Sequence, residues 1–530
     1  MMNYFKFIKT TISIGTFILG LSSCEEFIDI NADPSNPTVP ETNLLLPATQ
    51  LAIVGNFDGV NRGASAVAQH RASGSLNRYN QTGATFESSW IGFYTEAIPD
   101  LETIILQGSV EENWGYVAIA KLQKAFLFSV IVDLWGNAPY FQVATEPDPV
   151  FDDGAIIYED LMTLVDEAMV DMERDFNVLS SSDLFYQGDR GKWVKMANSL
   201  KLKLLLQTRN VDPAASRAGI LELLENGEFI NDNEDDFTFL YGSNTAPNSR
   251  HPWYANGYST SRDGYMSMVV VDRLKEQDDP RLRYYIFRID ENAGLANSQV
   301  GEGYYGRYPG DGTSSPADLT TRAITGLYPA AGLYDNGVIP SLTEDNIYLN
   351  NIGAVEGASS NSFINALFVN GDGTGAGVQP FITNCMVKFY RAEAALTLDT
   401  GEDAGELLRQ AVESHFETIN EMSTSFPVSP ESVQGFIDRL LEEFDAADDQ
   451  GKMEILMMQK WIAMYGNGVE SYNDYRRTGL PELEPLMAPL DVFPERYFYA
   501  ETEMTSNQTV LGDREQIQRN QQITPVFWKE

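Results

Sequence analysis

The sequence predicts a mainly α-helical protein, in which a scaffold of paired helices carries an irregular, loop-rich lobe with short strands. Apolar residues recur at helical spacing over residues 43–228 and again over residues 380–493, which is the pattern of amphipathic helices. Between these stretches, from about residue 229 to 379, Gly, Asn, Ser, Pro and Tyr dominate and the helical period largely disappears. No linker-like low-complexity stretch divides the chain, so we expect residues 43–530 to form one body.

The N-terminal segment has the parts of an export signal. Lys6 and Lys9 give a positive start, and Ile12–Leu21 is an apolar run too short to cross a bilayer, which takes about 20 apolar residues. The run ends in Leu21-Ser22-Ser23-Cys24 and resembles a bacterial lipoprotein signal with its lipobox. The resemblance implies removal of residues 1–23 and lipidation of Cys24, so that the mature protein is anchored to a membrane without spanning it. The alternative is an ordinary secretory signal in which Cys24 is incidental.

Residues 24–42 are expected to be a tether between the lipid anchor and the body. Glu25-Glu26 follows Cys24 directly. Acidic residues at this place resemble a signal for export to the cell surface in lipoproteins of the Bacteroidetes type; alternatively they are the solvated end of the tether. Asn31–Pro40 contains three prolines together with Asn, Asp and Ser, which favour turns and extended backbone over helix. This composition predicts a stiff spacer.

The charge balance excludes one class of partner and one mode of membrane attachment. The chain has 36 Lys and Arg against 76 Asp and Glu, for a net charge of −40. Proteins bind phosphate backbones through Lys and Arg, so nucleic acid is not an expected partner. Peripheral attachment to anionic lipid would also need basic patches, so the acidic composition argues against that mode of attachment. Cys385 is the only cysteine besides Cys24, so no internal disulfide is expected.

Three stretches show the helical patterns most clearly. Trp114–Val132 is apolar on almost every face, which predicts a buried helix, and Gly136 suits its C-cap. Tyr158–Met172 carries apolar residues at i, i+3, i+4 and i+7, and Trp193–Leu204 carries a second stripe behind Asp189, a suitable N-cap. Paired amphipathic helices with short connections indicate hairpins of the tetratricopeptide kind, whose repeat is about 34 residues. The residue signature of that repeat is not intact.

Several conspicuous residues outside the lobe are expected to be structural. Trp193 and Trp461 lie on apolar helical faces, which predicts core positions. Arg476-Arg477 follows Asp474 and is expected to form a buried or interfacial ion pair, with anion binding as the alternative. Residues 494–530 are polar and turn-rich and are expected to wrap the body.

Six stretches carry a resemblance to known proteins: residues 31–37, Ala125–Pro139, Gly188–Leu200, Asp279–Leu282, Tyr390–Ala395 and, most specific, Lys460–Pro481. Together, and in this order, they resemble the SusD/RagB family of surface nutrient-binding lipoproteins, and within it the second SusD-like branch. The resemblance implies four helix pairs of tetratricopeptide type and an irregular ligand lobe. It also implies a place on the outer membrane, facing the extracellular side, as a lid on a TonB-dependent SusC-like transporter that takes up glycans or other nutrients. Residues 229–379 do not align with any glycan site of the family, so the ligand class stays open.

Aromatic and polar residues in loops are the candidate ligand contacts. A sugar ring packs its C–H face on an aromatic ring while neighbouring polar groups bind its hydroxyls, and Tyr and Trp combine apolar area with a polar tip. Trp253 is the first candidate because it lies in a polar, proline-bracketed stretch that we interpret as a loop. The alternative for each candidate is an aromatic side chain that packs loops together as a small core. The other candidates are Tyr254, Tyr258, Tyr304, Tyr305, Tyr79 and Asn80.

The sequence offers no catalytic or metal-binding pattern, so no cofactor is expected. His70, His251 and His415 are not at metal-ligand spacing, and each is expected to be a surface or hydrogen-bonded histidine. Gly301–Gly306 matches a dinucleotide-binding motif by residue type but lacks the strand and helix that such a motif needs. Asn231–Asp236 could hold calcium through side-chain oxygens. An acidic turn is favoured there, because the following glycine and spaced glutamate of a calcium loop are missing.

The favoured function is therefore binding without catalysis, with an oligosaccharide or another nutrient delivered to the SusC-like transporter. Two alternatives stay open. One is a surface adaptor or lid that binds peptide or another non-glycan nutrient. The other, less favoured, is a surface glycosidase, whose paired carboxylates cannot be picked out among 76 acidic residues.

Overall fold

The structure, a computed structural model, describes residues 40–72, 79–258, 265–287, 304, 306–311, 324–335, 373–487 and 489–529. Helices dominate these residues, and their strands form two-stranded antiparallel sheets. The predicted mainly α class with a loop-rich lobe is confirmed. The signal segment, Cys24 and most of the tether lie outside the described residues.

The helices divide into three groups along the chain. Before the lobe lie α1 (Thr42–Val67), α2 (Glu87–Gly92), α3 (Ile98–Val110), α4 (Trp114–Trp135), α5 (Gly154–Met172), α6 (Arg190–Gln207) and α7 (Pro213–Asn226). The lobe carries α8 (Pro252–Tyr258), α9 (Met268–Glu276) and α10 (Leu282–Tyr285). After the lobe lie α11 (Asn384–Leu398), α12 (Ala404–Met422), α13 (Pro430–Ala446), α14 (Asp449–Ala463), α15 (Gly468–Thr478), α16 (Glu501–Ser506) and α17 (Arg514–Ile523).

Consecutive scaffold helices pack as pairs: α4 with α5, α6 with α7, α11 with α12 and α13 with α14. Helix α4 is buried on almost every side, as its apolar sequence predicts. It ends at Gly136, whose φ of +78° suits glycine. Asp189 caps α6 by accepting a hydrogen bond from the backbone N–H of Lys192. Trp193 and Trp461 lie in the core, as predicted.

The strands are short and join distant parts of the chain. The longest pair connects the two ends of the lobe, so the chain leaves the scaffold and returns to it side by side. That pair is β4 (Phe237–Leu240) with β8 (Val378–Ile382). The others are β1 (Arg71–Ala72) with β5 (Tyr265–Met266), β2 (Ala138–Pro139) with β3 (Phe151–Asp152), and β6 (Ile286–Phe287) with β7 (Ile324–Thr325).

The C-terminal segment packs against α4. Trp528 is fully buried, and its indole N–H donates to Asp133 Oδ1 at 3.0 Å. In the other direction, the indole N–H of Trp135 donates to the carbonyl of Phe498 at 2.9 Å. Both tryptophans thus have a bonded polar atom inside the core, where an unbonded one would be costly.

A set of eight buried charged side chains, the central ion cluster, lies between the two halves of the scaffold. Its members are no more than 7% exposed, and its four acidic and four basic groups balance. They come from α4, α6 and the turn after α6 on one side, and from α11, α14 and α15 on the other. The acidic members are Asp133, Glu393, Glu470 and Asp474, and the basic members are Lys203, Arg209, Lys460 and Arg477.

Glu393 has the most cationic neighbours in this cluster. Its carboxylate accepts hydrogen bonds from Arg477 Nη2 at 2.8 Å and from Lys460 Nζ at 3.1 Å, and it forms an ion pair with Arg209, whose Nη2 lies 3.1 Å away. Burial alone would raise the pKa of the Glu393 carboxyl, but the three cations hold that pKa well below its usual value. The ion pair predicted for Arg477 is therefore confirmed. Arg476 instead donates to the amide oxygen of Asn473 at 2.6 Å.

Replacing Glu393 by Gln tests how much the central ion cluster stabilises the fold. The substitution keeps the shape of the side chain and leaves buried cations without their main counter-charge. Removing one partner of a buried pair typically costs about 3–5 kcal/mol. We expect the free energy of unfolding of Glu393→Gln to fall by that amount, measured by urea unfolding of the purified protein.

The matched control is Glu515→Gln. Glu515 pairs with Arg519 at 2.8 Å, but the two side chains are 75% and 67% exposed. Surface pairs of this kind contribute up to about 1 kcal/mol. Equal losses in the two variants would contradict a special role for the buried cluster.

Candidate ligand-binding cleft

An open cleft in the described part of the chain lies between the lobe and the scaffold. It has a volume of about 680 Å³, within the range of small-molecule sites, which is roughly 300–1,000 Å³. One wall consists of the end of α9, the start of α10 and two tyrosines of later lobe segments. The other is the connection from α12 to α13 and the first turns of α13. Tyr284, Tyr304 and Tyr334 line the first wall, and Ser429, Glu431 and Ser432 line the second.

Each of the three tyrosines is held by a defined contact. The hydroxyl of Tyr284 donates to the carbonyl of Phe426 at 2.7 Å, and burial raises the pKa of that hydroxyl. The hydroxyl of Tyr304 donates to Asp335 Oδ2 at 2.9 Å. Tyr334, half-buried, lies parallel to the ring of Phe426 with 4.6 Å between ring centroids and 7° between planes. Tyr284 and Tyr304 are only 4% and 6% exposed, so the open aromatic area of the first wall is chiefly that of Tyr334.

Charged side chains of both signs surround these rings. The ammonium of Lys275 lies 5.2 Å from the ring centroid of Tyr304, within cation–π range. Arg439 Nη2 is 3.6 Å from Asp278 Oδ2 across the rim. Arg283 and Glu431 also line the cleft and are exposed. Hydrogen-bond donors and acceptors thus flank aromatic faces, an arrangement that suits a polyhydroxylated ligand.

A buried arginine fixes the lobe wall to the scaffold. Arg281 is fully buried and binds Asp279 through two parallel hydrogen bonds, Nε to Oδ1 at 2.9 Å and Nη2 to Oδ2 at 2.5 Å. The same Nη2 donates to Gln459 Oε1 of α14 at 2.5 Å. The guanidinium also lies 5.3 Å from the ring of Phe416 and 5.4 Å from that of Phe436. Three scaffold helices thereby hold the segment that leads directly into Tyr284.

The structure corrects the expectation for Trp253. The stretch that we interpreted as a loop forms helix α8, and the Trp253 side chain is only 3% exposed. Arg71 stacks on its indole at 4.4 Å and Tyr465 meets it edge-on at 5.6 Å. The indole is thus covered by protein side chains, and ligand contact by Trp253 stays a prediction. These partners lie far away in the sequence, so the polar local composition gave no sign of them.

The other predicted residues are spread over several places. Tyr304 lines the cleft. Tyr254 is buried, and its hydroxyl donates to the carbonyl of Gly373 at 3.1 Å. Tyr79 is half-buried against Phe493, with 5.4 Å between ring centroids, and Asn80 beside it is exposed. Neither Tyr254, Tyr79 nor Asn80 lines the cleft. Tyr305 and the side chain of Tyr258 lie outside the described residues. Ligand contact by any of these side chains stays a prediction.

The histidines are buried rather than on the surface. Burial lowers the pKa values of His70 and His251 to about 3 and that of His415 well below its usual value. Each histidine is hydrogen-bonded, which is one of the two roles expected for these residues. His70 bonds to the carbonyl of Trp461 at 2.8 Å, His251 to the backbone N–H of Trp253, and His415 to Tyr285.

The acidic turn predicted at residues 231–236 makes contacts within the protein. Lys195 Nζ binds Asp235 at 2.6 Å, and the backbone N–H of Asn384 donates to Asp236 at 2.6 Å. Asn233 donates to the carbonyl of Ser414 at 3.1 Å. Across the described residues, no group of three or more His, Cys, Asp or Glu side chains is placed to hold a metal ion. The turn joins the start of the lobe to α6, α11 and α12.

A second depression, of about 510 Å³, lies on another face of the molecule. Gly55 of α1 lines it together with Leu240, Tyr241, Arg250 and Asn256. Leu240 is largely exposed. This second depression provides a reference against which the role of the cleft can be tested.

Helix pairs that carry a loop-rich lobe and an open cleft between the two define a helical binding scaffold. A sequence profile of the SusD-like family, described as starch-binding and associating with the outer membrane, matches residues 34–500. The chain belongs to this family, as the resemblance of its motifs indicates. It is thus a member of an outer-membrane-associated family described by carbohydrate binding. No curated protein matches the chain.

Solved structures show the same fold. A SusD/RagB family protein from Bacteroides thetaiotaomicron is 20% identical, with a TM-score of 0.70 over 92% of this chain and 99% of that one. A SusD homologue from Bacteroides fragilis is 17% identical, with a TM-score of 0.68 over 93% and 99%. A chitin-binding SusD homologue from Flavobacterium johnsoniae is 17% identical, with a TM-score of 0.67 over 92% and 97%. Among the described residues, no helix is long and apolar enough to span a membrane.

Proposed function

We propose that this protein binds an oligosaccharide in the cleft between lobe and scaffold and does not cleave it. The observation that carries the proposal is the cleft itself, in which the half-buried ring of Tyr334 is accompanied by hydroxyl, carboxylate and guanidinium groups. Sugars need this combination of aromatic face and hydrogen-bonding groups. The family description and the chitin-binding relative support a carbohydrate as the ligand class.

The proposal extends to where the protein works. Cys24, at the end of the apolar N-terminal run, is the proposed lipid attachment point, and the body then faces the extracellular side of the outer membrane. A TonB-dependent SusC-like transporter is the proposed partner that receives the ligand. The net charge of −40 supports an anchor made of lipid instead of a basic surface patch.

Filling the cleft tests the location of the site. Gly435 lines the cleft from within α13. Apart from the backbone of the helix itself, the nearest atom to a Cβ added there is Nη1 of Arg439, at 4.0 Å. Gly435→Trp should therefore fold, because the added side chain meets no close neighbour at its Cβ and glycine is itself a poor helix former. We expect its affinity for oligosaccharides that the parent binds to fall at least about tenfold, which corresponds to roughly 1.4 kcal/mol. Calorimetric titration with starch and chitin oligosaccharides measures this.

Gly55→Trp is the matched control for that experiment. It places the same side chain on another helix glycine, which has no atom within 4 Å of an added Cβ and lies in the second depression. Its affinity should equal that of the parent. Loss of binding in Gly55→Trp alone would indicate that the oligosaccharide binds outside the cleft. New reducing ends during the titration would indicate a glycosidase, and binding of peptides but no sugar would favour the adaptor.

The anchor is tested by replacing the two cysteines one at a time. Cys24→Ser should abolish incorporation of an alkyne-labelled fatty acid and release the protein from the membrane fraction. Cys385→Ser should keep both, because that thiol is buried and burial raises its pKa to about 12. Labelling of intact cells with an antibody reports which side the body faces. A Cys24→Ser protein that is still acylated would rule out this attachment point.

A further inference from the structure

We propose that Phe426, on the connection between α12 and α13, is a second sugar-stacking position at the mouth of the cleft. The ligand would then be an oligosaccharide long enough to reach from the tyrosines inside the cleft to this ring. The inference rests on the proposed function and assigns a further binding residue and a minimum ligand length to the same site.

The ring of Phe426 is placed to receive a ligand. One face is covered by Tyr334, which lines the cleft, in the parallel stack at 4.6 Å. The side chain is nevertheless 38% exposed, so its open area is the opposite face and the ring edge. The next residue, Pro427, lines the cleft. Phe426 therefore places an exposed aromatic ring directly beside two residues that line the cleft.

The backbone around Phe426 is fixed. Its N–H donates to the carbonyl of Ser423 at 2.9 Å. Its own carbonyl accepts two hydrogen bonds, from the hydroxyl of Ser423 at 3.0 Å and from that of Tyr284 at 2.7 Å. Two residues further on, the N–H of Val428 donates to the side-chain oxygen of Asn420 at 2.7 Å. A ring held in place before binding loses less conformational entropy when a ligand stacks on it.

Polar groups suited to sugar hydroxyls follow Phe426 at the end of this connection and in the first turn of α13. Ser429, Glu431 and Ser432 line the cleft. Their hydroxyl and carboxylate oxygens accept hydrogen bonds, and the two hydroxyls also donate. A sugar unit stacked on Phe426 would have these groups beside it.

Single exposed apolar side chains are common on proteins and need no function. Phe141 is such a case: it is 52% exposed and meets its chain neighbour Tyr140 edge-on, with 4.8 Å between ring centroids. It does not line the cleft. Phe426 differs because it stacks on a cleft residue and its carbonyl binds a second one. Phe141 is therefore the matched control.

The test uses a series of oligosaccharides of one sugar, from two to six units, titrated into the parent, Phe426→Ala, Phe426→Tyr and Phe141→Ala. The alanine variant keeps the carbonyl to which Tyr284 donates, and the tyrosine variant also keeps the ring that stacks on Tyr334. Phe426→Ala should bind the longest ligands about 3- to 10-fold more weakly and the disaccharide less than about twofold more weakly. Phe426→Tyr and Phe141→Ala should match the parent at every length.

Three results would overturn the inference. An equal loss at all lengths would mean that Phe426 acts by supporting the inner site. No loss at any length would mean that no sugar stacks on the ring. A parent that binds no oligosaccharide of any length would remove the proposed function, and this inference with it, whereas the first two results leave the proposed function standing.

Discussion

Eight charged side chains that are almost entirely removed from water hold the two halves of the scaffold in register. The halves are separated in sequence by the whole lobe, and they meet through the central ion cluster as well as through apolar contacts. Charges in a low-dielectric interior are tolerated only when paired and hydrogen-bonded. Glu393 meets that condition with three cations at once. A shift of α11, α14 or α15 relative to α4 and α6 would separate such pairs, so the cluster favours one arrangement of the helices.

The position of the cleft follows from this arrangement. Its scaffold wall belongs to α12 and α13, which pack on α11 and α14, two helices that supply cluster residues. Its lobe wall is attached to the same helices through the Arg281–Asp279 pair and Gln459. The same group of helices therefore holds both walls of the cleft. A binding site built in this way is preorganised, even though one of its walls is made of irregular chain.

Local pattern predicted the scaffold well. Four features each depend on residues within one helix, and the structure has them where the sequence indicates. They are the all-apolar stretch of α4, the apolar stripe of α5, the N-cap of α6 at Asp189 and the end of α4 at Gly136. The pairing of Arg477 with carboxylates was predicted from its neighbour Asp474 and from the strongly acidic composition. Its partner Glu393, 84 residues away, could not be named, because spacing carries no information about which helices meet.

The site was predicted less completely, for the same reason. The lobe was recognised as the place for aromatic ligand contacts, and Tyr304 does line the cleft. Trp253 has the same local composition, but Arg71 and Tyr465 bury it from distant parts of the chain. Phe426 was missed because it belongs to a scaffold connection, outside the stretch where the helical period fails. Only the fold brings that connection opposite Tyr284 and Tyr334.

The most direct measurement of the central claim is a crystal structure of the protein grown with an oligosaccharide that it binds in solution. The account predicts sugar density in the cleft, with at least one ring stacked on aromatic surface beside Tyr334 and its hydroxyls within hydrogen-bond distance of Ser429, Glu431 or Ser432. Sugar density confined to another surface, such as the depression beside Gly55, would contradict it.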